Sequence, residues 1–320
     1  KNEKLKFHPT CYSGSRNCQT SVRAITEMGA ACEPALQKGE PPTFLKAPEL
    51  PSSWLEVTVV LTQHGTSHRL AQLKPLTFER KQSQPGYPTV VVDPGVRYQS
   101  CLGFGGSFSE AAAEVWAQLS PEKQDRLVDA YFSSDAGLGY RLGRLHVNSC
   151  DFCMESWSCC DAEEMDLASF NMDRYKGVIF PMIHDSVKAA GCPLALLASP
   201  WSPPAWMKDT RQMCSGGKLR PECRSVWAQY FVRFAQAMAA EGLPLWAFTV
   251  QNEPEAMTEW ENCIYTAEEE RDFVRDYLGP QLLRSGLGDL RLIVHDHNRD
   301  TMFQRARTLF SDPAACKFIW

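Results

Sequence analysis

Two regimes of hydrophobic and polar patterning divide the chain near residue 97. Before it, apolar positions follow no steady period. Residues 1–39 are irregular and carry Cys11, Cys18 and Cys32, and Glu40–Pro51 holds four prolines, as a linker or sheet edge would. Trp54–Thr62 and Thr89–Asp93 are rich in β-branched residues, and Lys74–Arg80 alternates in part. Those runs predict strands, and residues 1–97 read as a small, Cys-bearing, β-rich module. From residue 98 to 320 an apolar run, a polar loop and an amphipathic stretch repeat in turn. Apolar runs end at Gly103–Gly106, Leu142–His146, Leu194–Ala198, Phe248–Val250 and Leu290–Val294, and a sixth begins at Lys317–Trp320. Between them Ser120-Pro121 opens a helix, and Trp227, Tyr230, Phe231, Phe234 and Met238 recur at helical spacing until Gly242. Thr266 and Glu269 have capping-box spacing. Strand and helix in alternation imply parallel βα units.

Two α/β architectures suit that alternation. A doubly wound sheet expects a Gly-x-Gly-x-x-Gly phosphate turn after an early strand. Gly103-Phe-Gly-Gly-Ser-Phe108 lacks that spacing and places aromatics where backbone must approach a pyrophosphate. A (β/α)8 TIM barrel puts its chemistry at the C-terminal strand ends. Polar or aromatic residues stand there: Ser107, Asp151, Trp201, Asn252, Glu253 and Asp296. The barrel is the expected fold.

Charge narrows the partners. With 33 basic and 38 acidic side chains the net charge is −5, so no basic face for nucleic acid is expected. No apolar run approaches the ~20 residues of a membrane span. Thirteen cysteines are many and point to an oxidising compartment, with disulfides expected among Cys11, Cys18 and Cys32 and between Cys214 and Cys223. A zinc reading of Cys150-x-x-Cys153 wants a second ligand pair and histidine at compatible spacing. The sequence offers neither, and no metal is expected.

Thr249-Val-Gln-Asn-Glu-Pro254 is the sharpest local signal, an apolar strand delivering an amide and a carboxylate to its end. Its bland alternative is that Glu253 caps the next helix. Gln251-Asn-Glu-Pro254 is similar to the acid/base motif of retaining (β/α)8 glycosidases. Gly103-Phe-Gly-Gly-Ser-Phe-Ser-Glu-Ala-Ala-Ala113 resembles the first-strand signature of glycoside hydrolase family 30. Ser149-Cys-Asp-Phe152, Leu197-Ala-Ser-Pro-Trp-Ser-Pro-Pro-Ala-Trp206 and Arg271-Asp-Phe-Val274 resemble its lysosomal glucosylceramidase branch.

The resemblance implies hydrolysis of a glycolipid or other β-glucoside, most simply glucosylceramide to glucose and ceramide, without metal or other cofactor. β-1,6-Glucan and xylan-type polymers are the alternative substrates, and a non-catalytic sugar-binding fragment is the alternative class. The resemblance implies Glu253 as acid/base, Asn252 on the sugar 2-hydroxyl, Asp151 on other hydroxyls, Trp201 stacked on the sugar and Arg144 bracing the carboxylates. Each also has an ordinary reading: a loop turn at Asp151, core packing at Trp201, a structural ion pair at Arg144. The second carboxylate of a retaining pair is expected at the end of a seventh strand, outside this chain. A lysosomal or extracellular location is expected, with membrane contact only through a lipid substrate.

Overall fold

The computed structural model describes residues 56–77 and 95–320. In the first span β1 (Glu56–Val57) pairs antiparallel with β4 (Leu76–Thr77), and β2 (Val60–Leu61) with β3 (Ala71–Gln72). The single strand expected over Trp54–Thr62 is thus two short ones. The strand expected at Thr89–Asp93 lies outside the described residues, as do Cys11, Cys18 and Cys32. Residues 103–320 form a compact unit of their own among the described residues.

That unit is built on one parallel sheet. Strands β5 (Gly105–Phe108), β6 (Leu142–Val147), β7 (Ala195–Pro200), β8 (Leu245–Thr249) and β9 (Arg291–Ile293) lie side by side in chain order. A sixth strand is announced by Ile319, which bridges Leu292 in parallel while the Trp320 amide donates to Leu292 O at 2.9 Å. Sequential neighbours joined by helices are the pattern of an incomplete (β/α)8 barrel. The first strand falls two residues later than its glycines suggest. Gly105 is where bare backbone is needed, because a Cβ there would lie 1.9 Å from Leu142 O.

The helices are α1 (Glu110–Ala117), α2 (Pro121–Phe132), α3 (Phe180–Ala190), α4 (Arg224–Ala240), α5 (Ala267–Phe273), α6 (Gly279–Arg284), α7 (Met302–Phe310) and α8 (Pro313–Cys316). Their ends follow local chemistry. Pro121 occupies the first turn of α2, and the Ser120 side chain makes no cap bond. Thr266 and Glu269 close both halves of the capping box on α5. Two π-helical turns, Tyr175–Ile179 and Val274–Leu278, run into α3 and α6 next to Pro181 and Pro280. A proline withholds the N–H that a regular ladder would use, and the wider turn absorbs the gap.

Helix α4 buries more residues in the core than any other described helix. Trp227, Tyr230, Phe231 and Phe234 are fully buried, and Phe231 meets Phe248 of β8 edge-on with ring centres 4.9 Å apart. Phe248 therefore faces the helices, while alternation turns residues such as Arg144 and His146 of β6 to the opposite face, the barrel interior. The disulfide expected between Cys214 and Cys223 is absent: both are thiols. Cys214 is held in an isolated bridge to Glu261, whereas Cys223 is buried at the start of α4. Each is fixed by its own local structure.

Candidate active site

The C-terminal ends of β6, β7, β8 and β9 bring three of the five expected side chains, Arg144, Asn252 and Trp201, into contact, and Glu253 is the next residue in the chain. Arg144 is the hub. Its Nε donates to Ser199 Oγ at 3.0 Å, and its Nη2 donates to Asn252 Oδ1 at 2.8 Å and Asp296 Oδ2 at 2.5 Å. Its guanidinium lies 4.8 Å from the centre of the Trp201 ring, a cation–π contact. A guanidinium has donors only, so it can grip only the oxygen of the Asn252 amide. The Asn252 Nδ2 is left with no partner among the described residues and is free to donate outward.

Glu253 follows at once. Its backbone is left-handed, at φ +45°. Two bonds hold it there: its N–H donates to Asp296 O at 2.8 Å, and its carbonyl accepts from Ala256 N at 3.0 Å. A non-glycine residue in this region costs about 1–3 kcal/mol, and such strain gathers at functional sites. The half-buried Glu253 carboxylate has no hydrogen bond or ion pair among the described residues, and it caps no helix. Asp151 stands apart. It is exposed on the turn after β6 and binds nothing described, although its neighbours Cys150 and Phe152 line the adjoining cavity. That cavity, of about 190 Å³, is also walled by Ser107, Ser109, Arg144 and Trp201.

Two residues beyond the five expected at the site complete the support. Asp296 was visible only as a strand end flanked by His295 and His297. Those histidines stack on each other at 6.2 Å and bond to the loop at Asn298, leaving Asp296 to the Arg144 side. Arg305 of α7 is fully buried beneath the loops. Its Nε and Nη2 donate to Glu270 Oε2 at 2.9 and 2.7 Å, Nη1 to Glu255 Oε1 at 3.0 Å and Nη2 to Tyr265 O at 3.0 Å. Glu270 Oε1 in turn accepts from His295 N at 3.1 Å. Burial raises the Glu270 carboxyl above its usual range despite Arg305, while Thr301 and Arg305 hold Glu255 below it. No period in the sequence marks Arg305, because its partners are distant in the chain.

At the end of β8 an amide is held by Arg144 of β6, which also grips Ser199 of β7 and Asp296 just past β9, and a carboxylate with no partner among the described residues follows it in the chain. The glycosyl hydrolase family 30 TIM-barrel domain matches residues 101–320. The chain belongs to glycosyl hydrolase family 30. Within family 30, the lysosomal acid glucosylceramidase of Mus musculus is 33% identical to it over 240 residues, covering 72% of this chain and 46% of its own. The endo-1,6-beta-D-glucanase of Neurospora crassa is 29% identical over 220 residues, covering 66% of this chain and 45% of its own. The crystal structure of SrfJ from Salmonella typhimurium matches with a TM-score of 0.72 at 32% identity, covering 78% of this chain and 56% of SrfJ. The chain spans about half the length of the relatives it matches.

Proposed function

We propose that residues 98–320 form the acid/base side of a retaining β-glycosidase site that hydrolyses glucosylceramide to glucose and ceramide. The convergence of Asn252, Arg144 and Trp201 next in the chain to Glu253, whose carboxylate has no partner among the described residues, carries this reading. Glycoside cleavage passes through an oxocarbenium-like transition state in which one carboxyl donates its proton to the leaving oxygen while a second attacks the anomeric carbon. On this reading Glu253 is the donor, then the base that activates water. Asn252 Nδ2 donates to the sugar 2-hydroxyl, a bond that tightens as charge develops at the neighbouring carbon. Trp201 offers an apolar face to the sugar ring, and Asp151 accepts from other hydroxyls. The attacking carboxylate belongs about 5–5.5 Å from Glu253, at the end of a seventh strand that the described sheet does not include.

The mouse relative supports the lipid substrate and a lysosomal or extracellular location, with membrane contact only through the glycolipid. No described helix is long and apolar enough to cross a membrane. The Neurospora relative supports β-1,6-glucan as the second reading. Glu253→Gln in the full-length protein separates the possibilities. Hydrolysis of glucosylceramide should fall by about 10²–10⁴-fold. Activated aryl β-glucosides, whose leaving group needs no proton, should still glycosylate the enzyme. Unchanged turnover of both would remove Glu253 from the mechanism. Turnover of β-1,6-glucan with glucosylceramide untouched would move the assignment to the second reading, and sugar binding without any turnover would mark a sugar-binding protein.

A further inference from the structure

The end of β6 carries a side-chain group that glycoside hydrolysis leaves unused. His146 and Cys150 are buried and Cys153 is half-buried, and their ligand atoms all lie within 4.8 Å of one another. Cys150 Sγ is 3.9 Å from Cys153 Sγ, which is 3.8 Å from His146 Nε2. A tetrahedral zinc ion, with bonds of about 2.3 Å to sulfur and about 2.0–2.1 Å to nitrogen, holds its ligands roughly 3.5–3.8 Å apart. Two of the three separations are already close to that spacing, and the third, between Cys150 and His146, is no more than 4.8 Å. A tight turn produces it: Cys153 N donates to Cys150 O at 2.9 Å and Cys150 N to Cys153 Sγ at 3.3 Å, so both sulfurs face the strand end.

The histidine is oriented for ligation. His146 Nδ1 donates to the carbonyl of Asn148, whose left-handed backbone, at φ +62°, turns that oxygen back to the ring. The bond leaves the Nε2 lone pair for the thiols, as a backbone carbonyl does behind ligating histidines. Trp157 and Tyr175 fix the ring plane, each with its centre 5.8 Å away. Sequence spacing missed this arrangement because His146 precedes the Cys-x-x-Cys turn on the strand and not within it.

We propose that His146, Cys150 and Cys153 form a zinc(II) site with a fourth position open to the cavity that His146 and Cys150 line. On binding, both thiols give their protons to solvent and the ion joins two thiolates and a neutral imidazole. The unit has no net charge. The hydrogen bond with the Cys150 thiol, with burial behind it, holds Cys153 protonated without metal, but a neutral complex escapes that penalty. A Cys150–Cys153 disulfide would use the same sulfurs and leave the pre-oriented imidazole without a purpose.

The test uses the full-length protein, reduced, stripped with chelator and titrated with Co²⁺. One equivalent should raise thiolate-to-cobalt charge transfer and the intense d–d bands of four-coordinate cobalt, and one equivalent of Zn²⁺ should bleach them. Cys153→Ser should weaken zinc binding at least tenfold and shift the bands. Zinc should shield Cys150 and Cys153 from alkylation, mapped by peptide mass, while the half-buried Cys192 stays reactive. The mapping needs no variant, so it decides even if Cys153→Ser fails to fold. Absence of bands at one equivalent, bands unchanged in Cys153→Ser, or a zinc-free protein isolated with a Cys150–Cys153 disulfide would overturn the site. None of these readouts depends on glycoside hydrolysis.

Discussion

Arg305→Met should be among the most damaging single changes outside the strands. The guanidinium is enclosed, with two bonds to Glu270, one to Glu255 and two to the carbonyls of Tyr265 and Thr266. Removing it strands the Glu270 carboxylate, whose side chain has no exposed surface. Breaking a buried pair from one side costs about 3–5 kcal/mol, a large share of the ~5–15 kcal/mol that holds a typical domain folded. The loss depends on pH. Burial already lifts Glu270 above the ordinary value of 4.5, and Arg305 opposes that rise. Without Arg305 the folded protein keeps a proton that the unfolded chain has released. Folded stability then declines as pH rises from about 4.5 through the raised folded value. The deficit is largest at neutral pH and shrinks on acidification. Urea melts of wild type, Arg305→Met and Arg305→Met/Glu270→Leu at pH 5 and pH 7.5 measure it. The double variant should recover most of the loss, since apolar residues replace such pairs at little cost. A single-variant loss below about 1 kcal/mol, or one equal at both pH values, would refute the reasoning.

Other changes probe other links. Arg144→Lys cannot span Ser199, Asn252 and Asp296 with one ammonium; kcat/KM of the full-length enzyme should fall about 10²-fold with stability moved by less than about 1 kcal/mol, and unaltered kinetics would show that the hub is ornamental. Gly105→Ala drives a Cβ to 1.9 Å from Leu142 O, a backbone atom unable to yield, so β5 should part from β6 with a loss of about 2 kcal/mol or more, read as a lower melting temperature. Thr266→Ala removes one half of the α5 capping box and should cost about 1 kcal/mol, while Thr266→Ser keeps it; equal melts for the two would deny the cap.

How legible this was depended on range. The alternation of apolar runs and capped helices is local, and it placed every parallel strand within a few residues. Thr266 with Glu269 and the aromatic stripe of α4 were equally plain, because a helix writes its neighbours three and four positions apart. Glu253 and Asn252 showed as polar residues at a strand end. What stayed hidden was long-range pairing. Arg144 reaches Asn252 across 108 positions and Asp296 across 152, and Arg305 reaches Glu255 across 50. The Cys214–Cys223 expectation failed for the converse reason: closeness in sequence says little when separate local structures hold each thiol.

The backbone at Glu253 has one more consequence. At φ +45° the position suits glycine or asparagine better than glutamate. The exchange Glu253→Asn would relax the strand end and let the chain fold somewhat more tightly while removing the proposed proton donor. Chemistry and durability therefore pull this residue in opposite directions. In a lineage no longer selected for turnover, the first substitution to spread would silence the site and strengthen the fold in one step.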